Sequence, residues 1–380
     1  MAASGQKTSF PLIVSYGTIK VMNPLRLLAK YYKYHVLGKA DLSDLIFFVT
    51  YKCNFRCGSC FYVDTMETAS QNNKELTIEE IEKVSLKLGK LRTLLLSGGE
   101  PFLRDDLARL CRIFHLNNKI HHLHLPTNGF YTEKIFDTVS RILNSCQDLR
   151  LTLSLPLDGM EKTHDEIKGV PGSFNKVTET VNRLSALKSK FPHLYLYMIS
   201  VVSNKNIGQM PELAEYVKNN LPVDGHGPSP LRGQAHDAES TKPTYKDWHE
   251  VSKKLLPYQY YWNSRNNNKI KAYLLNRRIE YLYALYTHVL ERDNLPFKCM
   301  AGRLISVLEP NGDVRLCELT DAVGNIRNTD YDIMKVLSSD RAKAMLKRIE
   351  SCACTHACFL NPSITMNPYC LIDSYLKGSL

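Results

Sequence analysis

From residue 45 onward, short unbroken apolar runs alternate with longer stretches in which apolar residues recur every three or four positions. "LIFFVT" (45–50) is of the first kind and predicts a buried strand. "LTIEEIEKVSLKLGKL" (76–91) is of the second and predicts a helix. Thr77 stands at its start with Glu80 three residues on, the pattern of a reciprocal N-terminal cap. The alternation continues through "TLLLSGGEP", "LARLCRIFHLNN", "HHLHLPTNG", "IFDTVSRILNSC", "LRLTLSLPLDG", "FNKVTETVNRLSALKSK", "LYLYMISVVSN" and "MPELAEYVKNN", and "VDGHGPSPLRG" closes the series. About six strand–helix units imply a parallel sheet or barrel, and six are too few for a complete eight-stranded barrel.

The flanks read differently. Residues 24–39 predict an amphipathic helix, with Leu25, Leu28, Tyr32 and Val36 on one face and Arg26, Lys30 and Lys33 elsewhere. It packs on the main domain or docks weakly on a membrane surface. Residues 236–292 begin polar and become aromatic and helical, as connecting helices would. Near 311, "PNGD" predicts a hairpin with Asn311-Gly312 at its tip. The expected divisions are 1–44, 45–235, 236–292 and 293–380.

Composition narrows the setting. The 380 residues are 44% hydrophobic and 23% charged, a globular balance, with no apolar run long enough to cross a membrane as a helix. The formal charge of +11 comes from basic residues spread along the chain, without a nucleic-acid-binding motif. No secretory signal pattern opens the sequence. Eleven cysteines without such a signal point to a reducing, cytoplasmic compartment, where clustered cysteines serve metals more often than disulfides. Cys111 and Cys146 fall in predicted helices and read as core.

Three cysteines, Cys53, Cys57 and Cys60, sit within eight residues after the first strand, in "CNFRCGSC". Three thiolates can hold three irons of a 4Fe–4S cube and leave the fourth iron open to another ligand. A zinc site with a remote fourth ligand is the alternative. The next strand ends in Gly98, Gly99, Glu100 and Pro101, two glycines that admit close backbone approach and a carboxylate that suits an ammonium group. Both motifs fall at strand C-terminal ends, where ligands of parallel α/β folds bind.

"CNFRCGSC" followed by "SGGEP" resembles the radical S-adenosylmethionine (SAM) superfamily, over about residues 42–235. The resemblance implies an α/β fold, a partial (β/α)6 TIM-like barrel. It implies that Cys53, Cys57 and Cys60 carry a 4Fe–4S cluster whose open iron is chelated by SAM. Gly98, Gly99, Glu100 and Pro101 would meet the methionine end, and Asn128 in "PTNG", Ser154 in "LSLPLDG", and Ser203 and Asn206 in "VVSNKN" would meet the rest. Relatives usually place an aromatic residue just before the third cysteine; here that residue is Ser59, and Phe61 follows. A flavodoxin or ferredoxin would supply the electron.

Six further cysteines, Cys299, Cys317, Cys352, Cys354, Cys358 and Cys370, crowd the last 82 residues around the hairpin. A zinc ribbon would use such a set. The stretch also resembles the SPASM/twitch extension of radical SAM enzymes, a small cysteine-rich hairpin and helix unit that holds auxiliary iron–sulfur clusters. Six cysteines suffice for one fully ligated 4Fe–4S cluster. Cys299, Cys317, Cys354 and Cys358 are the expected ligands, with Cys352 and Cys370 in reserve. The resemblance implies net oxidation, by dehydrogenation or cross-linking, of a small molecule or peptide. Arg232, at the end of the last barrel unit, could meet a substrate carboxylate or phosphate. The alternatives are a redox-neutral radical reaction and a non-catalytic iron–sulfur or zinc protein.

Overall fold

The computed structural model describes residues 40–376 apart from residue 73, and before them only 11–13, 18–20, 29, 31, 32 and 34. Most of the helix expected over 24–39 therefore lies outside the described residues. Within that stretch Tyr34 is buried with Met300, Leu304 and Met366, while Tyr32, expected on the packed face, is exposed.

Strands β1 (Pro11–Ile13) and β2 (Thr18–Lys20) pair with each other in a two-stranded sheet. Six parallel strands follow: β3 (Asp44–Thr50), β4 (Thr93–Gly98), β5 (His122–Pro126), β6 (Arg150–Pro156), β7 (Leu194–Val202) and β8 (Gly225–Pro230). They lie in the sheet in chain order, each pairing in parallel with the next. All seven residues of β3 are buried, which is why it reads as an unbroken apolar run.

Helices α1 (Val63–Asn72), α2 (Ile78–Lys87), α3 (Leu107–Asn118), α4 (Thr132–Ser145), α5 (Glu161–Lys168), α6 (Ser173–Ser185) and α7 (Met210–Asn220) link the strands. The expected cap is present at α2: Thr77 Oγ1 accepts from Glu80 N, and Glu80 Oε2 accepts from Thr77 N. Two of these helices escaped the periodicity. Both α1 and α5 are short and mostly polar, and α5 buries a histidine and a lysine beside its isoleucine.

Two long helices, α8 (Tyr245–Asn266) and α9 (Lys269–Arg292), follow the barrel. Gln259 Nε2 on α8 donates to the His226 carbonyl of β8, and Trp248 Nε1 donates to the Tyr283 carbonyl of α9. The C-terminal part holds β9 (Ile305–Leu308), β10 (Asp313–Arg315) and β11 (Ala322–Asn325), then α10 (Ile333–Leu337), α11 (Asp340–Arg348), α12 (Ala357–Met366) and α13 (Pro368–Leu376). The expected hairpin turn has Gly312 at φ +90°, a conformation that glycine adopts without strain. This hairpin does not stand apart. β9 pairs in parallel with β3, so one nine-stranded sheet runs from β11 to β8.

Candidate functional site

The cysteine loop begins where β3 ends. Glu75 fixes its first turn by accepting from Thr50 Oγ1 (2.8 Å) and Tyr51 N (2.7 Å). Backbone bonds then clamp the loop from both sides: Gly58 N donates to the Ile167 carbonyl, and Cys60 O and Gly58 O accept from the amides of His236 and Asp237. The neighbouring β4 turn sits hard against it. Gly99 N and Glu100 N donate to the Thr50 and Lys52 carbonyls, each at 2.8 Å. A Cβ at Gly99 would fall 2.1 Å from Lys52 O, and Gly98 has φ +109°. Both glycines are therefore required by the backbone packing itself.

Cys53, Cys57 and Cys60 line one cavity of about 220 Å³ with Gly98, Gly99, Glu100, Pro101, Asn128 and Ser154. Burial pushes the Cys53 thiol up to about 12 and the Cys57 thiol up to about 11. Thiols so placed ionise only against a cation, as metal ligation supplies. The other ligating groups on the wall are committed. Glu100 accepts from Phe102 N (3.1 Å), Thr127 Oγ1 (2.9 Å) and Asn128 N (2.7 Å), so it ties the β4 and β5 ends together. Burial nevertheless raises its carboxyl to about 7. Three thiols and no free fourth protein ligand on this wall fit a cluster with one open iron.

Ser203 and Asn206 do not line this cavity. The Asn206 amide donates to the Asp158 and Val201 carbonyls (2.7 and 2.8 Å), and its Oδ1 accepts from Ser203 N. The pair shapes a turn. Lys168 does reach the wall, and the sequence patterns gave no sign of it because polar α5 carries it there. Its Nζ meets Asp158 Oδ2 at 2.6 Å, and both side chains are almost wholly buried. Burial opposes the lysine's charge, but the Asp158 carboxylate beside it favours the charged form and holds the ammonium.

A second cavity of about 230 Å³ shares Ser97, Pro126, Ser154, Ile199, Val201 and Arg232 with the first. It runs between the inner face of the sheet and helices α9 and α12. Arg232 stands at the junction. Its guanidinium is 3.1 Å from Glu318 Oε2 and 5.0 Å from the centre of the Phe61 ring, so a protein carboxylate already occupies it.

The C-terminal cysteines divide into groups. Burial raises the Cys317 and Cys354 thiols, and after burial each feels another cysteine most: Cys317 feels Cys354, and Cys354 feels Cys299. Cys299 feels Cys352 in turn. Cys358 instead faces Glu318 and Arg232 and lines the second cavity, its thiol pushed up by burial to about 12. Cys370 lies beside Tyr281 and Arg278. The expected four include Cys358 and not Cys352; Cys354 and Cys358 both act on Arg232, and Cys299 and Cys354 both feel Cys352. No group of three or more Cys, His, Asp or Glu among the described residues closes around a single metal ion. Cys111 and Cys146 are buried in the core. No helix among the described residues is long and apolar enough to cross a membrane.

A family model of the Radical SAM superfamily matches residues 47–255, more than half of the chain. A putative glycyl-radical enzyme activating enzyme from Methanocaldococcus jannaschii is 26% identical over 189 residues, 48% of this chain and 65% of that protein. A probable GTP 3′,8-cyclase from Methanococcus aeolicus is 39% identical over 103 residues, 26% of this chain and 33% of the cyclase. The chain therefore spans less than two thirds of each of these relatives. Among solved structures, Streptococcus suis SuiB bound to S-adenosylmethionine superposes with a TM-score of 0.56 at 16% identity, covering 83% of this chain and 69% of SuiB. The enzyme anSMEcpe with bound AdoMet and the Cp18Cys peptide gives 0.55 at 17%, covering 80% and 82%. At these identities the likeness is one of fold, and it extends past the barrel into the hairpin and cysteine-rich region.

Proposed function

This chain belongs to the radical SAM superfamily, and from that premise we propose that it cleaves SAM reductively and abstracts hydrogen from a substrate held in the second cavity, with net oxidation of that substrate. The observation that carries the reading is the continuity of the two cavities. Six residues wall both, so a group bound at the three-cysteine loop borders whatever fills the space beyond. Cys53, Cys57 and Cys60 would hold the 4Fe–4S cluster that, when reduced, supplies the electron for SAM cleavage. The backbone at Gly98 and Gly99 and the side chains of Asn128 and Ser154 would orient SAM, while Glu100 keeps the two strand ends in register. Lys168 adds a fixed positive charge beside the cluster.

Glu318 and Thr355, which directly follow Cys317 and Cys354 in the chain, line the substrate cavity, so an auxiliary cluster on those cysteines would stand beside it, which favours oxidation. We assign Cys299, Cys317, Cys352 and Cys354 to an auxiliary 4Fe–4S cluster, an electron acceptor when bound, and leave Cys358 and Cys370 outside it. The test is anaerobic reconstitution, reduction with dithionite, and detection of 5′-deoxyadenosine and methionine. Substrate losing two hydrogens, or gaining an internal bond, supports oxidation; unchanged product mass points to a redox-neutral reaction. No 5′-deoxyadenosine under any condition removes the reading.

A further inference from the structure

The second cavity has a definite charge balance and a definite hydrogen-bonding demand. Its carboxylate and its guanidinium, Glu318 and Arg232, are paired with each other. A ligand of net charge would lose its hydration there and find no counter-charge. The cavity volume is about 230 Å³. The carbonyls of His226 and Asp224 at the β8 edge already accept from Gln259 and Asn266, so an extended peptide finds those strand-edge acceptors taken.

The hydrogen-bonding demand follows from one tautomer. Ser200 Oγ donates its single proton to the Leu157 carbonyl, so towards His226 Nε2, at 2.7 Å, it must accept. Nε2 therefore carries the imidazole proton, and Nδ1 is left as an acceptor. Burial lowers this histidine to about 4, which keeps the ring neutral. Nδ1 has no partner, and neither has Asn361 Oδ1 on α12. Both residues line the cavity, and both atoms call for donors.

We infer that the cavity takes a small uncharged molecule carrying hydroxyl groups, which donate to His226 Nδ1 and Asn361 Oδ1, and not a segment of peptide. The inference rests on the radical SAM reading above and narrows its substrate.

The test begins with an extract of cells that make the protein, passed through an ultrafilter and then through anion and cation exchangers. Each fraction is added to reconstituted protein with SAM and dithionite, and 5′-deoxyadenosine formation is followed. In parallel, each is added to protein without SAM or reductant and the melting temperature is read. The unretained neutral filtrate is expected to raise both, and acetylation of its hydroxyls to abolish both effects. His226→Phe and Asn361→Leu are each expected to raise the half-stimulating concentration about tenfold, the scale of one lost hydrogen bond. Stimulation found in the macromolecular retentate, in an exchanger-bound fraction, or surviving acetylation overturns the inference. So does stimulation by no fraction while unstimulated SAM cleavage persists. Absence of any SAM cleavage removes the parent reading instead.

Discussion

The two cysteine regions are built in opposite ways. Cys53, Cys57 and Cys60 follow one another in a single loop, and backbone bonds from flanking turns hold that loop in place. The six C-terminal cysteines are spread over three stretches of chain, at Cys299, at Cys317 and from Cys352 to Cys370, and a shared site among them depends on how the C-terminal part folds. The first arrangement is local, so spacing in the sequence describes it. The second is tertiary, so spacing along the chain alone does not decide which thiols share a site. The regions are nonetheless tied together. Tyr62, just after the cysteine loop, donates from its hydroxyl to Glu309 at the hairpin turn, and Glu309 also meets Arg315 at 2.9 Å.

The largest test of the contrast removes the local set. Replacing Cys53, Cys57 and Cys60 together with alanine is expected to abolish 5′-deoxyadenosine formation and remove about half of the roughly eight irons that two cubes bring. Iron analysis beside a cleavage assay reads both. Full iron retention would show that the loop is not a cluster site.

The dispersed set is tested by two single changes. Cys352→Ala is expected to lose the auxiliary iron, about half the total, while Cys358→Ala keeps it. The reverse result would restore the quartet expected from spacing and show that the side-by-side electrostatics of the thiols misassign the ligands.

A third change probes the wall between the regions. Lys168→Met strands Asp158 as a buried, unpaired carboxylate and should destabilise the protein by about 3–5 kcal/mol in urea unfolding of the cluster-free chain. A loss under about 1 kcal/mol would mean that water reaches the pair.

The smallest expected effect concerns the clamp between α2 and the C-terminal part. Glu80 accepts from Arg327 Nε (2.7 Å) and Nη2 (3.0 Å), and this holds its carboxyl down to about 2. A depressed acid stabilises the fold above its unfolded value near 4.5, and that contribution fades as pH falls toward about 2. Glu80→Gln should cost about 2 kcal/mol at pH 7 and flatten the acid limb of the stability profile. An unchanged acid limb would assign acid sensitivity to other groups.

The strand–helix order was legible because β3 to β8 are buried and their linking helices are mostly amphipathic. Polar α1 and α5 were hidden: Val63, Met66 and Ala69 do bury at three-residue steps, but the rest of α1 is polar and outweighs them. In the site, the three-cysteine loop and the Gly98–Gly99 turn could be read because each is a contiguous motif. Lys168 could not, since its role depends on Asp158 ten residues away and on a helix with little apolar signal. Nor could the fates of Glu100, Arg232 and Asn206. An acid, a cation and an amide in a sequence advertise binding, and only packing reveals that each is already engaged within the chain.

One consequence follows from the pairing of β3 with β9. The first barrel strand, "LIFFV" at its centre, has β4 on one side and a strand from the far end of the chain on the other. During synthesis the ribosome releases the whole barrel sequence before residues 305–308 emerge. Until they arrive, β3 is an apolar sheet edge with unpaired backbone groups, the kind of surface on which chains stick to one another. The C-terminal hairpin is therefore also the barrel's seal against aggregation. A fragment ending after β8 should precipitate even though every parallel strand of the barrel proper is present, and supplying residues 293–380 as a separate polypeptide should keep it in solution.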